Sequence, residues 1–82
     1  MIRSGYTTFQ ESWQSRAATM RADLEAEDYA RLFFLAALSL CDAYDMHDYD
    51  RHEIVKGIIE GMKAHNYEAI NDGISMLEAL PE

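Results

Sequence analysis

Fifteen acidic and seven basic residues in 82 give a net charge of -8, which disfavours nucleic acid or an anionic membrane as a direct partner and favours a basic one. The single cysteine, Cys41, excludes an intrachain disulfide, and its place in an apolar run predicts a buried thiol in a reducing compartment. With neither a secretory leader nor an apolar run long enough for a bilayer, the expectation is one soluble cytoplasmic domain, small enough to profit from a second copy or a partner.

The charge is unevenly placed. Residues 1–21 carry three Arg and one Glu, whereas residues 22–50 carry eight acids and one Arg. The middle of the chain is therefore its acidic pole.

Thr7 and Thr8 each have a Gln or Glu three residues on, Gln10 and Glu11, the spacing of a capping box. Tyr6, Phe9, Trp13, Ala17, Met20 and Leu24 then recur every three or four residues, as an apolar stripe on a helix spanning roughly 8–25. No Gly or Pro interrupts the chain between Gly5 and Gly57, so one long helix through about residue 45 is an alternative. Charge favours a break. Asp23, Glu25, Glu27 and Asp28 oppose the partial negative charge of a helix C-terminus, while Asp28 suits a cap for the next helix.

That second helix, about 28–46, contains Leu32 to Cys41, apolar at nine of ten positions and hence apolar on nearly every side. Eighty-two residues supply little chain to cover it. The expected outlet is self-association, with Phe34, Leu35 and Leu38 as the oligomer interface. A third helix, roughly 51–64, has Asp50 as its expected cap with Glu53 completing a box, and Ile54, Val55, Ile58, Ile59 and Met62 as its stripe. Gly57 and Gly61 weaken it by about 1 kcal/mol each relative to Ala. Asn66 caps a fourth helix, about 67–80, with Tyr67, Ile70, Ile74 and Leu77 on one face and Pro81 at its end.

The tract Asp42 to Glu53 has the length and ends of a calcium-binding loop, but Tyr44, Met46 and His47 stand where oxygen ligands and an obligatory Gly belong. On an unbroken helix Cys41, Asp45, Asp48 and His52 would share a face as a zinc set, yet they match no established ligand motif, and no metal or cofactor is expected. Ser12, Ser15, Ser39 and Ser75 lack a neighbouring base, there is no Gly-rich phosphate loop, and the carboxylates read as an exposed turn, so the chain is not expected to be an enzyme. Tyr6, Phe9 and Trp13 beside Arg3, Arg16 and Arg21 leave a small-nucleotide pocket in an oligomer as an alternative.

The fold class expected is all-α, a bundle of three to four antiparallel helices that self-associates. Asp42, Asp45, Asp48 and Asp50, interleaved with Tyr44 and Tyr49, form the expected partner-binding set: carboxylates accept bidentate bonds from Arg, and tyrosines add rigid contact area. The expected function is a non-catalytic inhibitor that occludes a basic surface of a nuclease or other nucleic-acid-handling effector, as immunity proteins and phage counter-defence proteins do. That comparison is one of charge and size alone. The alternative is a homo-oligomeric assembly or regulatory module that uses the second helix.

Overall fold

A computed structural model describes residues 12–81. Four helices run through them: α1 (Trp13–Glu25), α2 (Tyr29–Asp45), α3 (Tyr49–Lys63) and α4 (Tyr67–Ala79). The Thr7 and Thr8 caps, and the Tyr6 and Phe9 end of the first apolar stripe, lie outside the described residues.

Each helix starts in the same way. The side chains of Ser12, Asp28, Asp48 and Asn66 accept a hydrogen bond from the backbone N–H three positions on, at 3.0, 3.3, 3.2 and 3.1 Å. This satisfies one of the donors that a helix start leaves without an intrahelical partner. An aromatic residue follows each cap: Trp13, Tyr29, Tyr49 and Tyr67.

The three connections are also built alike. In Ala26-Glu27-Asp28, the Glu27 N–H bonds to the Leu24 carbonyl and the Asp28 N–H to that of Asp23. Met46-His47-Asp48 and Ala64-His65-Asn66 repeat the pattern, His47 to Tyr44 with Asp48 to Ala43, and His65 to Met62 with Asn66 to Gly61. These are Schellman turns, whose middle residue must take a left-handed conformation. Here that residue is not glycine: φ is 59° at Glu27, 58° at His47 and 55° at His65. The residue that closes one helix's last turn caps the next, so three residues reverse the chain.

This corrects the expected start of α3. Its cap is Asp48 rather than Asp50, because Asp48 occupies the closing position of the turn, and Asp50 falls in the first helical turn. A carboxylate is favourable there too, against the partial positive charge of the helix start.

Reversals this short make neighbours antiparallel, and α1 also packs against α4, so the four helices close into a bundle. The core comprises Trp13, Ala17 and Met20 from α1, Leu32, Ala36 and Ala43 from α2, Val55 and Ile58 from α3, and Ile70, Ile74 and Leu77 from α4. Tyr67, expected on the inner stripe, is 52% exposed. It starts its helix at the bundle end, where its ring meets that of Tyr29 at 5.7 Å.

Two glycines lie where α3 and α4 meet tightly. A Cβ on Gly73 of α4 would lie 2.5 Å from Cγ1 of Ile58, and one on Gly61 of α3 would meet Ala69 and Ile70 at 3.2 Å. Gly57 has nothing within 4 Å and faces open space.

α2 is the exception to full coverage. Leu32, Ala36, Ser39 and Ala43 are buried, and Leu35, Ala37, Leu38 and Leu40 are half-buried. Ala30, Phe33, Phe34, Cys41 and Tyr44 are exposed. The expectation of a buried Cys41 is thus overturned: Cys41 is exposed on the surface of α2. No helix of the described residues is long and apolar enough to cross a membrane.

Candidate protein-interaction surface

The end of the bundle that carries the α2–α3 turn has two layers. In the inner one, Arg16 of α1 is 4% exposed and places Nη2 2.8 Å from Oδ2 of Asp42 on α2. The Arg16 guanidinium lies 4.5 Å from the Trp13 ring centre, and that of Arg51 on α3 lies 5.4 Å from it. Arg51 also bonds Asp48 through Nη1 at 2.8 Å and donates through Nη2 to the Pro81 carbonyl. The Arg51 hydrogen bond holds the Asp48 carboxyl below its usual range, against a smaller upward push from burial. This layer joins residues of α1, α2 and α3 to the chain just beyond α4.

The outer layer faces solvent. Tyr44 and Tyr49 are each 68% exposed, and Asp45, Met46 and Asp50 are exposed beside them. Tyr44 leans on the His52 ring at 6.1 Å, and Tyr49 on that of His47 at 6.2 Å.

The six residues expected to bind a partner therefore divide. Tyr44, Asp45, Tyr49 and Asp50 point outward. Asp42 and Asp48 are half-buried and turned toward Arg16 and Arg51. Sequence spacing offers the Asp48–Arg51 pair, which is i,i+3, but not the other, because Arg16 meets Asp42 only after α1 and α2 have packed.

A second surface runs along α2. Phe34, expected at an oligomer interface, is 65% exposed, and Phe33 is 42% exposed. Leu35 and Leu38 are half-buried and line, with Phe34, Thr19, Asp23 and Arg31, an open groove of about 350 Å³ between α1 and α2. Sequence reasoning missed Asp23 and Arg31 here. A signal existed: from Tyr29 to Cys41 an otherwise acidic chain contains no acid and one Arg.

The remaining constellations come apart or are engaged. Cys41, Asp45 and His52 border one shallow groove with Tyr44, while Asp48 is turned to Arg51. The turn at residues 46–48 breaks the continuous helix that would have aligned all four, and no group of three His, Cys, Asp or Glu among the described residues is placed to hold a metal. Ser39 is fully buried. Of the nucleotide-pocket set, Trp13 is buried beside Arg16 and Arg51, and Arg21 bonds Asn71, Ser75 and Glu78 on α4. Tyr6, Phe9 and Arg3 lie outside the described residues.

Comparison of the chain with protein-family models, with curated proteins and with solved structures finds no match.

Proposed function

We propose that this chain is a non-catalytic protein-binding inhibitor whose α2–α3 turn covers a basic surface of a nucleic-acid-handling partner. The observation that carries the reading is the outward set Tyr44, Asp45, Tyr49 and Asp50 at the turn, with two large aromatic side chains exposed beside two carboxylates that make no ion pair among the described residues. Exposed tyrosines supply contact area at low entropic cost, and carboxylates accept forked bonds from Arg. Asp42 and Asp48 support the site from beneath by tying the turn to Arg16 and Arg51.

The test is affinity capture from a lysate of source cells or their host, with a salt gradient for elution, run in parallel on the native chain and on the double variant Asp45→Asn/Asp50→Asn. A basic nucleic-acid-binding protein should be retained by the native chain, leave as salt rises, and be absent from the variant, since screening weakens exposed charge contacts. Equal capture by both would remove the turn from the interface.

A second reading is favoured by one observation, the exposure of Phe33 and Phe34 on the outer face of α2. In it the chain self-associates through α2 and acts as an assembly module.

A further inference from the structure

We infer that α2 docks on a second copy of this chain across a two-fold axis, Phe34 of each copy entering the α1–α2 groove of the other and Arg31 of each facing Asp23 of the other. This rests on the self-association reading of α2. It adds the occupant of the groove and the register in which it sits.

Charge selects the occupant. The segment from Tyr29 to Cys41 carries a single charge, Arg31, and the groove beside it adds a single carboxylate, Asp23, so this face is balanced in charge and offers a basic partner no net attraction. A second copy brings what the groove lacks. Asp23 and Arg31 both line it, and neither takes part in an ion pair among the described residues. A two-fold contact matches a surface with itself, so a residue pair meets its mirror pair and one Asp and one Arg become two cross-copy bonds. With one Asp and one Arg, the same face is a charge-balanced part of a chain of net charge -8, so two copies approach there with little repulsion.

Shape agrees with charge. Phe34 projects one helical turn beyond Arg31 on the same side of α2, next to a groove floored by Leu35 and Leu38. Burial of such an exposed aromatic side chain is the kind of contact that dominates binding energy. The footprint is modest. A 17-residue helix is about 25 Å long and ~10 Å wide, so the face covers on the order of 300 Å² per copy. That is below the ~800 Å² per partner of a standard stable complex, so the dimer is weak and concentration-dependent.

Sedimentation velocity on the full chain, from about 10 μM to about 1 mM, tests the inference. The mass should rise from 9.4 kDa toward twice that value. Phe34→Glu should stay monomeric throughout with an unchanged helical circular dichroism spectrum, because the side chain is mostly outside the core. Asp23→Lys and Arg31→Glu should each weaken association roughly tenfold or more, and their combination should restore it, since it rebuilds both pairs in reversed order. Both changes suit their helix ends, a cation near the end of α1 and an anion near the start of α2.

A native chain that stays monomeric at about 1 mM would overturn self-association and the register together. Loss of the dimer in Phe34→Glu without rescue by the charge-swapped double variant would overturn the two-fold register and leave self-association through α2 standing. A dimer that survives Phe34→Glu would place the contact elsewhere and overturn the inference.

Discussion

Glu27, His47 and His65 hold the left-handed conformation that glycine occupies without a Cβ clash, and each does so at the centre of a turn on which two helices depend. The conformation costs an L-residue about 1–2 kcal/mol, part of which glycine would return as added freedom of the unfolded chain. Glu27→Gly, His47→Gly and His65→Gly are therefore each expected to stabilise the fold by about 0.5–1 kcal/mol, read as a higher urea midpoint. The gain should be smallest at His47, whose ring Nδ1 lies 3.5 Å from the Tyr49 hydroxyl. A lower midpoint in all three variants would mean that these side chains contribute contacts worth more than the backbone cost. The turns also explain why helix breaks without Gly or Pro are hard to see in this sequence. The residue that signals them is the Asp or Asn one position later, each time followed by Tyr.

At the scale of the helix, the all-α class is legible from apolar spacing, and Asp28 and Asn66 are legible as caps from residue type. The start of α3 is less so. Asp48 and Asp50 offer the same cap chemistry two residues apart, and the choice between them is made by the preceding turn, which reaches back to the Ala43 carbonyl. Glycine spacing misleads in a similar way. Gly57 and Gly61 draw the eye as a pair, yet the tight contact belongs to Gly61 and Gly73, one on each side of the α3–α4 seam. Gly57→Ala should stabilise by about 0.5–1 kcal/mol through helix propensity alone. Gly73→Ala should cost roughly 1–3 kcal/mol despite the same propensity gain, because the new methyl collides with Cγ1 of the fully buried Ile58. Thermal denaturation of the pair checks both signs. Equal shifts would show that α4 can slide away from α3 at little cost.

For the candidate surface, the sequence announces an acidic aromatic turn and an overly apolar α2, and the fold exposes part of each, Tyr44, Asp45, Tyr49 and Asp50 of the one and Phe33 and Phe34 of the other. It does not announce which acids are spent inside. Asp42 and Asp48 read like Asp45 and Asp50 until packing brings Arg16 to the one and helix geometry brings Arg51 to the other. The Arg16–Asp42 pair, 26 positions apart, leaves no trace in local periodicity, whereas the i,i+3 spacing of Asp48 and Arg51 is present in the sequence.

Across the whole molecule, the four seams are not equivalent. The α3–α4 seam is drawn tight by two glycines, whereas the described part of α1 contributes none and packs less extensively against α2 and α4 than those helices do against α3. Among the described residues α1 is held by an apolar set, Trp13, Ala17, Met20 and the half-buried Leu24, and by two arginines: Arg16 to Asp42 on α2, and Arg21 to Glu78, Asn71 and Ser75 on α4. The Arg21 pair is partly exposed, with side chains 24% and 40% accessible, so water competes for it. We expect the bundle to open as a three-helix body with a hinged fourth member, the hinge being the Ala26-Glu27-Asp28 turn. Native-state hydrogen exchange should register this as two cooperative units, the amides of α1 exchanging through a lower-energy opening than those of α3 and α4. A single opening shared by all four helices would contradict it. The groove that receives Phe34 in the inferred dimer has α1 as one of its walls, so a second copy bound there would latch the hinge, and dimerisation would appear as slowed exchange in α1 before any change in overall stability.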